Sequence, residues 1–563
     1  MAGEAGGGEF RAERGHVETE LEALTKTMNG LQLFKDKDLM REWVMACEDS
    51  KKQLDGLRYF RRMLCEDHNP HVQHIIQLGL VPYFVKYLKQ GTAEIQVEAA
   101  WALTNVSAGT AEETEAVVEQ GAIPALVDIM RKDKGSLKEQ AIWAVGNIAA
   151  ERQFRDVLIE KGALRLLLGT LQDDSASLST VRIGTWALAN FCRTRFYGGD
   201  TEELANTVIQ VSANLLRQRD RDILADAVWA LSSIAEWQDN YVSRIIAAGA
   251  IPHLVKHLGN RSPSVVHPTL RCLSSVALGP ESSAAEVVAC GALPRLKRLL
   301  MGHQKKRVLG NACLVLANLV ASGWSTCQGV IDVGIMPLVM DVLRSSIYEV
   351  KCKAAFVVIN AFTTSSMPYQ GVVQLSNDGC IEALCAFLTW EQRSTVAAAL
   401  TALGTALAMG ELGRLNNGGG AGGAVLMNES YEMSEKAHKK RVRARGYHGR
   451  SNRVACQVSA AGGRETLRQL TEHECQEVAS LARDLLGRYF QVDDVGSDLD
   501  EAHGAMEDGL EGDELEDGED ALSELAANGH GTEADPAQEL QDMLEDWSVN
   551  DRSPVKPAIT CAK

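Results

Sequence analysis

Between Asn69 and Gly410 the apolar positions of the chain come in paired bursts. A Gly-(Ala/Leu)-(Ile/Leu)-Pro turn opens each pair, and a short apolar stretch such as 124–130 follows it. After a polar gap comes a second, longer apolar stretch. Proline suits a first helical turn, so each such turn predicts the start of a helix. In 140–149 the apolar Ala141, Ile142, Val145, Ile148 and Ala149 mark one stripe at helical spacing. Trp143 and Asn147 lie four residues apart on a different stripe, one turn above the other, and are expected to face away from that core.

The Trp/Asn pair recurs. Trp101/Asn105, Trp143/Asn147 and Trp186/Asn190 carry it in full, and Trp229/Ser233 carries a fourth copy. The register continues through Arg271/Ser275, Leu314/Asn318 and Phe356/Asn360. Glycine turns at Gly79, Gly121, Gly249, Gly291 and Gly334, with weaker copies at Gly162 and Gly379, keep the same beat. A period of about 42–43 residues points to a helical solenoid. The fold expected is all-α: a right-handed armadillo-repeat superhelix of about ten repeats.

The repeats sit between less regular ends. Residues 1–20 are Gly- and Glu-rich and read as disordered; 21–68 read as a helical cap and first repeat, with 43–64 its core. The main array occupies 69–410, and the pattern frays after Gly410. Residues 411–463 read as a flexible Gly-rich linker with a strongly basic insertion, 464–490 as the helices of a last repeat, and 491–563 as an acidic disordered tail. One amphipathic patch interrupts that tail, where Leu540, Met543, Leu544 and Trp547 share a helical face.

Composition adjusts this picture in two places. The formal charge of −18 over 563 residues belongs to the tail, because 491–550 holds 21 Asp/Glu and no Lys or Arg. The thirteen cysteines are scattered with no Cys-x-x-Cys pair, which predicts reduced thiols in an intracellular protein rather than disulfides or zinc. No apolar run reads as membrane-spanning and the first residues are not signal-like, so a soluble protein is expected.

A solenoid lines its concave side with parallel helices, so one position per repeat becomes a row of like side chains. Tryptophans in a row leave slots for the stem of a Lys or Arg, whose cationic head meets indole faces for about 0.5–2 kcal/mol each. Each asparagine offers a donor and an acceptor with which to clamp the main chain of an extended peptide. Glu98, Glu139, Glu151, Asp226 and Glu236 lie within one or two turns of ladder positions. The arrangement predicts a receptor for extended, Lys/Arg-rich peptides. The competing reading makes the tryptophans core residues that recur with the repeat; the paired asparagine at three successive levels counts against a dry core.

The stretches VEAAWALTNVSAGTAEET, EQAIWAVGNIAAE and TWALANFCR resemble the second, third and fourth repeats of importin-α, the adaptor that binds nuclear localisation signals. LADAVWALSSIAE, PTLRCLSSVALG, GCIEALCAFLT and EVASLARDLLGRYF resemble its fifth, sixth, ninth and tenth. The resemblance spans roughly residues 40–500. It implies a major signal-binding site at Trp101, Asn105, Trp143, Asn147, Trp186, Asn190 and Trp229, with Gln140 and Asp226 also touching the peptide. A pocket for a key lysine is implied at the Gly109 carbonyl, the Thr114 hydroxyl and Glu151, which stands where the family usually has Asp. Cargo proteins with basic signals are the implied partners, shuttled between cytoplasm and nucleus, with an export receptor at the C-terminal repeats.

The sequence departs from that family in three places. Leu314 and Phe356 replace minor-site tryptophans and Lys353 replaces a Glu, so a weakened minor site is expected at Arg271, Asn318 and Asn360. Residues 1–40 hold only Arg11, Arg14, Lys26, Lys35 and Lys37 among acids, so the resemblance does not extend to importin-β binding. The insertion carries Lys439, Lys440, Arg441 and Arg443, a pattern such a groove selects, which marks it as a candidate signal mimic in cis; the alternative is a solvated loop. His68, His71 and His74 lack partners in a metal-site pattern. The Gly-rich 418–423 lacks the features of a phosphate loop. No catalytic set, cofactor site, nucleic-acid surface or membrane anchor is expected. A scaffold for assembly or signalling outside nuclear transport is the alternative function.

Overall fold

A computed structural model describes residues 44–45, 49–65, 71–132, 135–197, 201–237, 239–302, 305–417 and 452–490. Every regular element among them is a helix, and none is a strand. The chain divides into two compact units, one ending at His253 and the other beginning at Leu254.

In the first unit the repeat is three helices. Ala111–Glu119, Ala122–Lys132 and Ser136–Ala150 form one complete copy. Its first helix begins with a capping box, in which Thr110 and Glu113 satisfy each other's free backbone N–H. The chain then reverses at Gly121, whose φ of 73° lies in the left-handed region that side chains with a Cβ rarely enter. All seven glycines of the expected turn series adopt positive φ.

The third helices of the first unit carry the ladder register, with the full Trp/Asn pair on three of the five. These are α1 (Ser50–Met63), α2 (Ala93–Val106), α3 (Ser136–Ala150), α4 (Leu178–Phe191) and α5 (Arg221–Ala235). Between α4 and α5 a single helix, Thr201–Leu215, stands where the other repeats have two short ones. Neighbouring third helices pack along their lengths, α2 on α3, α3 on α4 and α4 on α5. The stripe expected to be core is core: Ala141, Ile142, Val145, Ile148 and Ala149 are wholly buried.

The second unit follows the same plan with α6 (Pro263–Leu278), α7 (Lys306–Ala321), α8 (Tyr348–Thr363) and α9 (Arg393–Asn417). The expectation that the array frays after Gly410 is corrected here. Helix α9 runs through Gly410 and Gly413 to Asn417. These glycines are points of close approach, because a Cβ on Gly410 would meet Asn452 and Val454, and one on Gly413 would meet the ring of Tyr369. The last repeat also starts earlier than 464, with helices Arg453–Ala460, Gly463–Leu470 and Gln476–Tyr489.

A second correction concerns α9. Its stretch Arg393–Arg414 is long and apolar enough to cross a membrane by length and composition, but more than half of its apolar window is buried inside the protein. It packs against Cys380–Phe387, Gln476–Tyr489 and α8, which makes it a core helix of the stack.

Cys192, Cys313 and Cys380 are fully buried. Burial disfavours the thiolate and pushes the Cys313 thiol up to about 12, with Cys192 and Cys380 raised in the same direction. Cys456 is exposed. Since the thiolate is the reactive form, a thiol reagent at pH 8 is expected to label Cys456 in the native protein and to leave Cys192, Cys313 and Cys380 unmodified until denaturant is added. Peptide mapping of the labelled chain by mass spectrometry checks this.

Candidate functional site

The ladder positions of the first unit fall on the last two turns of successive third helices. Trp101, Trp143 and Trp229 are half-buried. Trp186 is not an open groove residue, with 3% exposure, and it lies flat on the neighbouring repeat. A Cβ on Gly146 would stand 2.6 Å from the Trp186 ring and 2.9 Å from Ala187. Trp143 and Trp186 meet edge to face with ring centroids 6.3 Å apart. A slot for an aliphatic stem needs about 7–8 Å between facing rings, two van der Waals contacts, so this pair forms none.

The asparagines also differ from expectation. Asn105, Asn147 and Asn190 are 1–3% exposed instead of facing away from the core. The Nδ2 of Asn147 donates to the Thr104 carbonyl (2.9 Å) and that of Asn190 to the Gly146 carbonyl (3.0 Å). Each acceptor immediately precedes the ladder residue of the previous repeat. Asn105 donates to the Cys65 sulfur at 3.1 Å. The asparagine of one repeat thus adds a donor to the main chain of the repeat before it. The main chain clamped in this structure is therefore the protein's own.

That clamp uses one hydrogen of each amide and leaves the oxygen. Asn105 Oδ1, Asn147 Oδ1, Gln140 Oε1, Trp101 Nε1 and Trp143 Nε1 are buried without a hydrogen-bond partner among the described residues. Three acceptors and two donors thus collect on two adjacent helices, α2 and α3. Native interiors leave few such groups unpaired, and a cluster of both kinds asks for a polar partner from outside.

The acids named from the sequence are unequal. Glu98 is engaged by Arg61 Nε at 2.5 Å and Arg58 Nε at 3.4 Å. Glu139 accepts from the hydroxyls of Ser177 (2.8 Å), Ser179 (3.2 Å) and Thr180 (2.7 Å). Asp226 is buried. Glu151 is half-buried and takes the N-cap position of Arg152–Glu160 without a side-chain cap bond.

The expected lysine pocket is only partly open. Gly109 is exposed, but Thr114 is 1% exposed and its hydroxyl donates to the Ser107 and Thr110 carbonyls at 3.2 and 3.1 Å. Thr114 thus closes the turn before its own helix and presents no free hydrogen to a guest.

Two residues with a part in the site escape a reading of the sequence. Arg155 is 2% exposed and donates to the carbonyls of Ala149 (2.7 Å) and Ala150 (3.0 Å) and to the Thr194 hydroxyl. It closes the end of α3 and holds the backbone next to Glu151. Burial, then the nearby Arg193, push its pKa down to about 10, which still leaves it charged at neutral pH. Arg61 places its guanidinium 4.2 Å from the centroid of the Trp101 ring.

In the second unit Phe356 is buried and Leu314 half-buried. Asn318 donates to the Ser274 carbonyl (3.0 Å) and hydroxyl (2.9 Å), and Asn360 to the Ala317 carbonyl (3.0 Å). Lys353 packs its stem over Gly310 and sets its ammonium 3.7 Å from Glu349 Oε1. Arg271 is half-buried. Lys439, Lys440, Arg441 and Arg443, the N-terminal forty residues and the acidic tail lie outside the described residues.

Residues 68–108, 110–150 and 281–321 match the Armadillo/beta-catenin-like repeat family. The chain is 32% identical to "Importin subunit alpha-3" of Arabidopsis thaliana over 458 residues, which cover 81% of this chain and 80% of that one. It is 33% identical to "Importin subunit alpha-1a" of Oryza sativa subsp. japonica over 52% of this chain and 56% of that one. Against "Importin subunit alpha-3" of Caenorhabditis elegans it is 39% identical over 43% of this chain and 48% of that one. The matched region thus spans about half the length of the last two relatives. A solved engineered protein superposes with a TM-score of 0.65 at 22% identity, covering 80% of this chain and 97% of that one, a likeness of fold.

Gly146→Ala weighs helix propensity against packing. Propensity favours Ala by about 1 kcal/mol. The added methyl meets a buried indole and Ala187, neither of which has room to withdraw, and overpacking costs about 1–3 kcal/mol. A net loss of up to about 2 kcal/mol is expected, read as a lowered urea midpoint of the full chain with an unchanged slope.

Proposed function

The chain belongs to the importin-α family, and from that premise we propose that it is a non-catalytic adaptor for nuclear import that holds Lys/Arg-rich localisation signals in extended form across α2 to α5. Its partners are cargo proteins bearing such signals, together with an export receptor at the C-terminal repeats, and it moves between cytoplasm and nucleus.

The observation that carries this reading is the row of half-buried indoles Trp101, Trp143 and Trp229, beside which Asn105, Gln140 and Asn147 hold amide oxygens without a partner among the described residues. An extended backbone offers an N–H and a C=O at every residue, so it supplies donors to the amide oxygens and acceptors to the indole N–H groups. Alternate residues of an extended chain project to the same side. One set therefore lies against the half-buried indoles Trp101, Trp143 and Trp229, where the stem of a lysine or arginine packs and its charge meets the ring face. Glu151 and the Gly109 carbonyl are the acceptors for a principal lysine, with Asp226 and Asn190 completing the floor.

Selectivity in this scheme rests on the rings more than on the acids. Glu98 and Glu139 are already committed to internal partners. Trp186 serves by holding Trp143 edge-on. In the second unit the asparagine clamps persist without tryptophans, which supports a weakened minor site at Arg271, Asn318 and Asn360 and a preference for signals with a single basic cluster.

The test is a fluorescence-anisotropy titration of the full chain with a labelled peptide carrying one Lys/Arg-rich cluster, beside a control in which its basic residues are Gln. Binding of the basic peptide, no binding of the control, and at least a tenfold loss of affinity in Trp143→Ala with unchanged helical circular dichroism are expected. Equal affinity for the basic and the Gln peptides overturns the proposal in favour of a scaffold that uses the groove for other partners.

A further inference from the structure

The row of aromatic rungs has a member of another kind at its beginning. Arg61 and Cys65 stand four residues apart at the end of α1, and each lies 40 residues before its counterpart in the pair Trp101/Asn105. The contacts follow that correspondence. Asn105 Nδ2 donates to Cys65 Sγ at 3.1 Å, and the Arg61 guanidinium stacks 4.2 Å from the Trp101 ring centroid. The first repeat thus sets an arginine where the next four set tryptophans.

This arginine is held rather than loose. Its Nε lies 2.5 Å from Glu98 Oε2, and the two side chains are only 11% and 14% exposed. Arg58 approaches the other oxygen of the same carboxylate at 3.4 Å. A planar guanidinium fixed by a carboxylate over an indole is the contact a basic guest residue makes with such a ring. The protein makes it internally at the outer face of Trp101.

Resting on the groove reading above, we propose that Arg61 is a specificity-determining residue: it fills the outermost cation position of the ladder in cis and sets where a guest's row of basic side chains must end. The face of Trp101 turned toward α1 is covered, and the carboxylate that would attract a further cation there is neutralised. Discrimination then includes a repulsive element, since an extra basic residue reaching past Trp101 meets a guanidinium.

The experiment compares three peptides on the full chain by anisotropy: a core with one basic cluster, and the same core with one lysine added beyond its first or beyond its last basic residue. For the unaltered protein neither addition is expected to tighten binding. In Arg61→Ala, one of the two additions, the one that reaches α1, is expected to tighten it about three- to tenfold. That gain is expected to vanish in Arg61→Ala/Trp101→Ala and to be smaller in Arg61→Lys, which keeps the charge and loses the planar stack. Circular dichroism of each variant reports its folding, and Arg61→Lys carries the test if the alanine variant unfolds. Identical responses of the unaltered and Arg61-substituted chains to both longer peptides overturn this inference alone. Failure of the unaltered chain to bind the core peptide overturns the groove reading and this inference with it.

Discussion

Four repeats of this protein are each fastened to the one before by an asparagine amide that reaches across to a main-chain carbonyl. Asn147 reaches Thr104, Asn190 reaches Gly146, Asn318 reaches Ser274 and Asn360 reaches Ala317, all at 2.9–3.0 Å. Such a bond contributes about 1 kcal/mol net. Its larger effect is on register. The bond joins equivalent turns of adjacent third helices, so it holds the residue one turn earlier, the tryptophan position, at a constant offset from repeat to repeat. The row of rings is a consequence of that register.

Within the first unit the same asparagines serve two directions at once. The amide nitrogen fastens the stack, while the oxygens of Asn105 and Asn147 stay unpaired near the half-buried rings. A group already fixed by one hydrogen bond loses little rotational freedom on making a second. The tightness of the stack also limits the rings. Gly146 lets Trp186 settle against α3, and Trp186 then supports Trp143 from the side. The aromatic row is thus a mixture of half-buried rings at α2, α3 and α5 and one buried, structural ring at α4.

The repeat was legible in the sequence because its signals are residue types at fixed spacing: turn glycines, the apolar stripe of 140–149, and tryptophans one period apart. What was hidden shares one physical cause. The partner of Asn147 is a backbone carbonyl, which any residue at 104 would provide, so no side-chain identity announces it. Arg155 is invisible for the same reason, since its acceptors at Ala149 and Ala150 are main-chain oxygens. The repeat pattern frays after Gly410 in the sequence because a glycine in a helix costs stability in isolation; in the structure Gly410 and Gly413 admit Val454 and the Tyr369 ring, and packing outweighs propensity. Arg61 was missed because it shares the position of the tryptophans and none of their chemistry, at a spacing two residues shorter than the later period.

The two units together separate what the ladder positions do. In the second unit Leu314 and Phe356 stand in the tryptophan register, yet Asn318 and Asn360 keep their bonds to Ser274 and Ala317 with unaltered lengths. The asparagine bond between repeats is therefore indifferent to the ring. The converse holds at the start of the first unit, where Cys65 takes the asparagine register and a basic side chain takes that of the ring. Changes at the ring position alter what the surface can receive, from indole to leucine, phenylalanine or arginine, without disturbing the frame. Architecture and the character of the surface are thus assigned to different residues one helical turn apart.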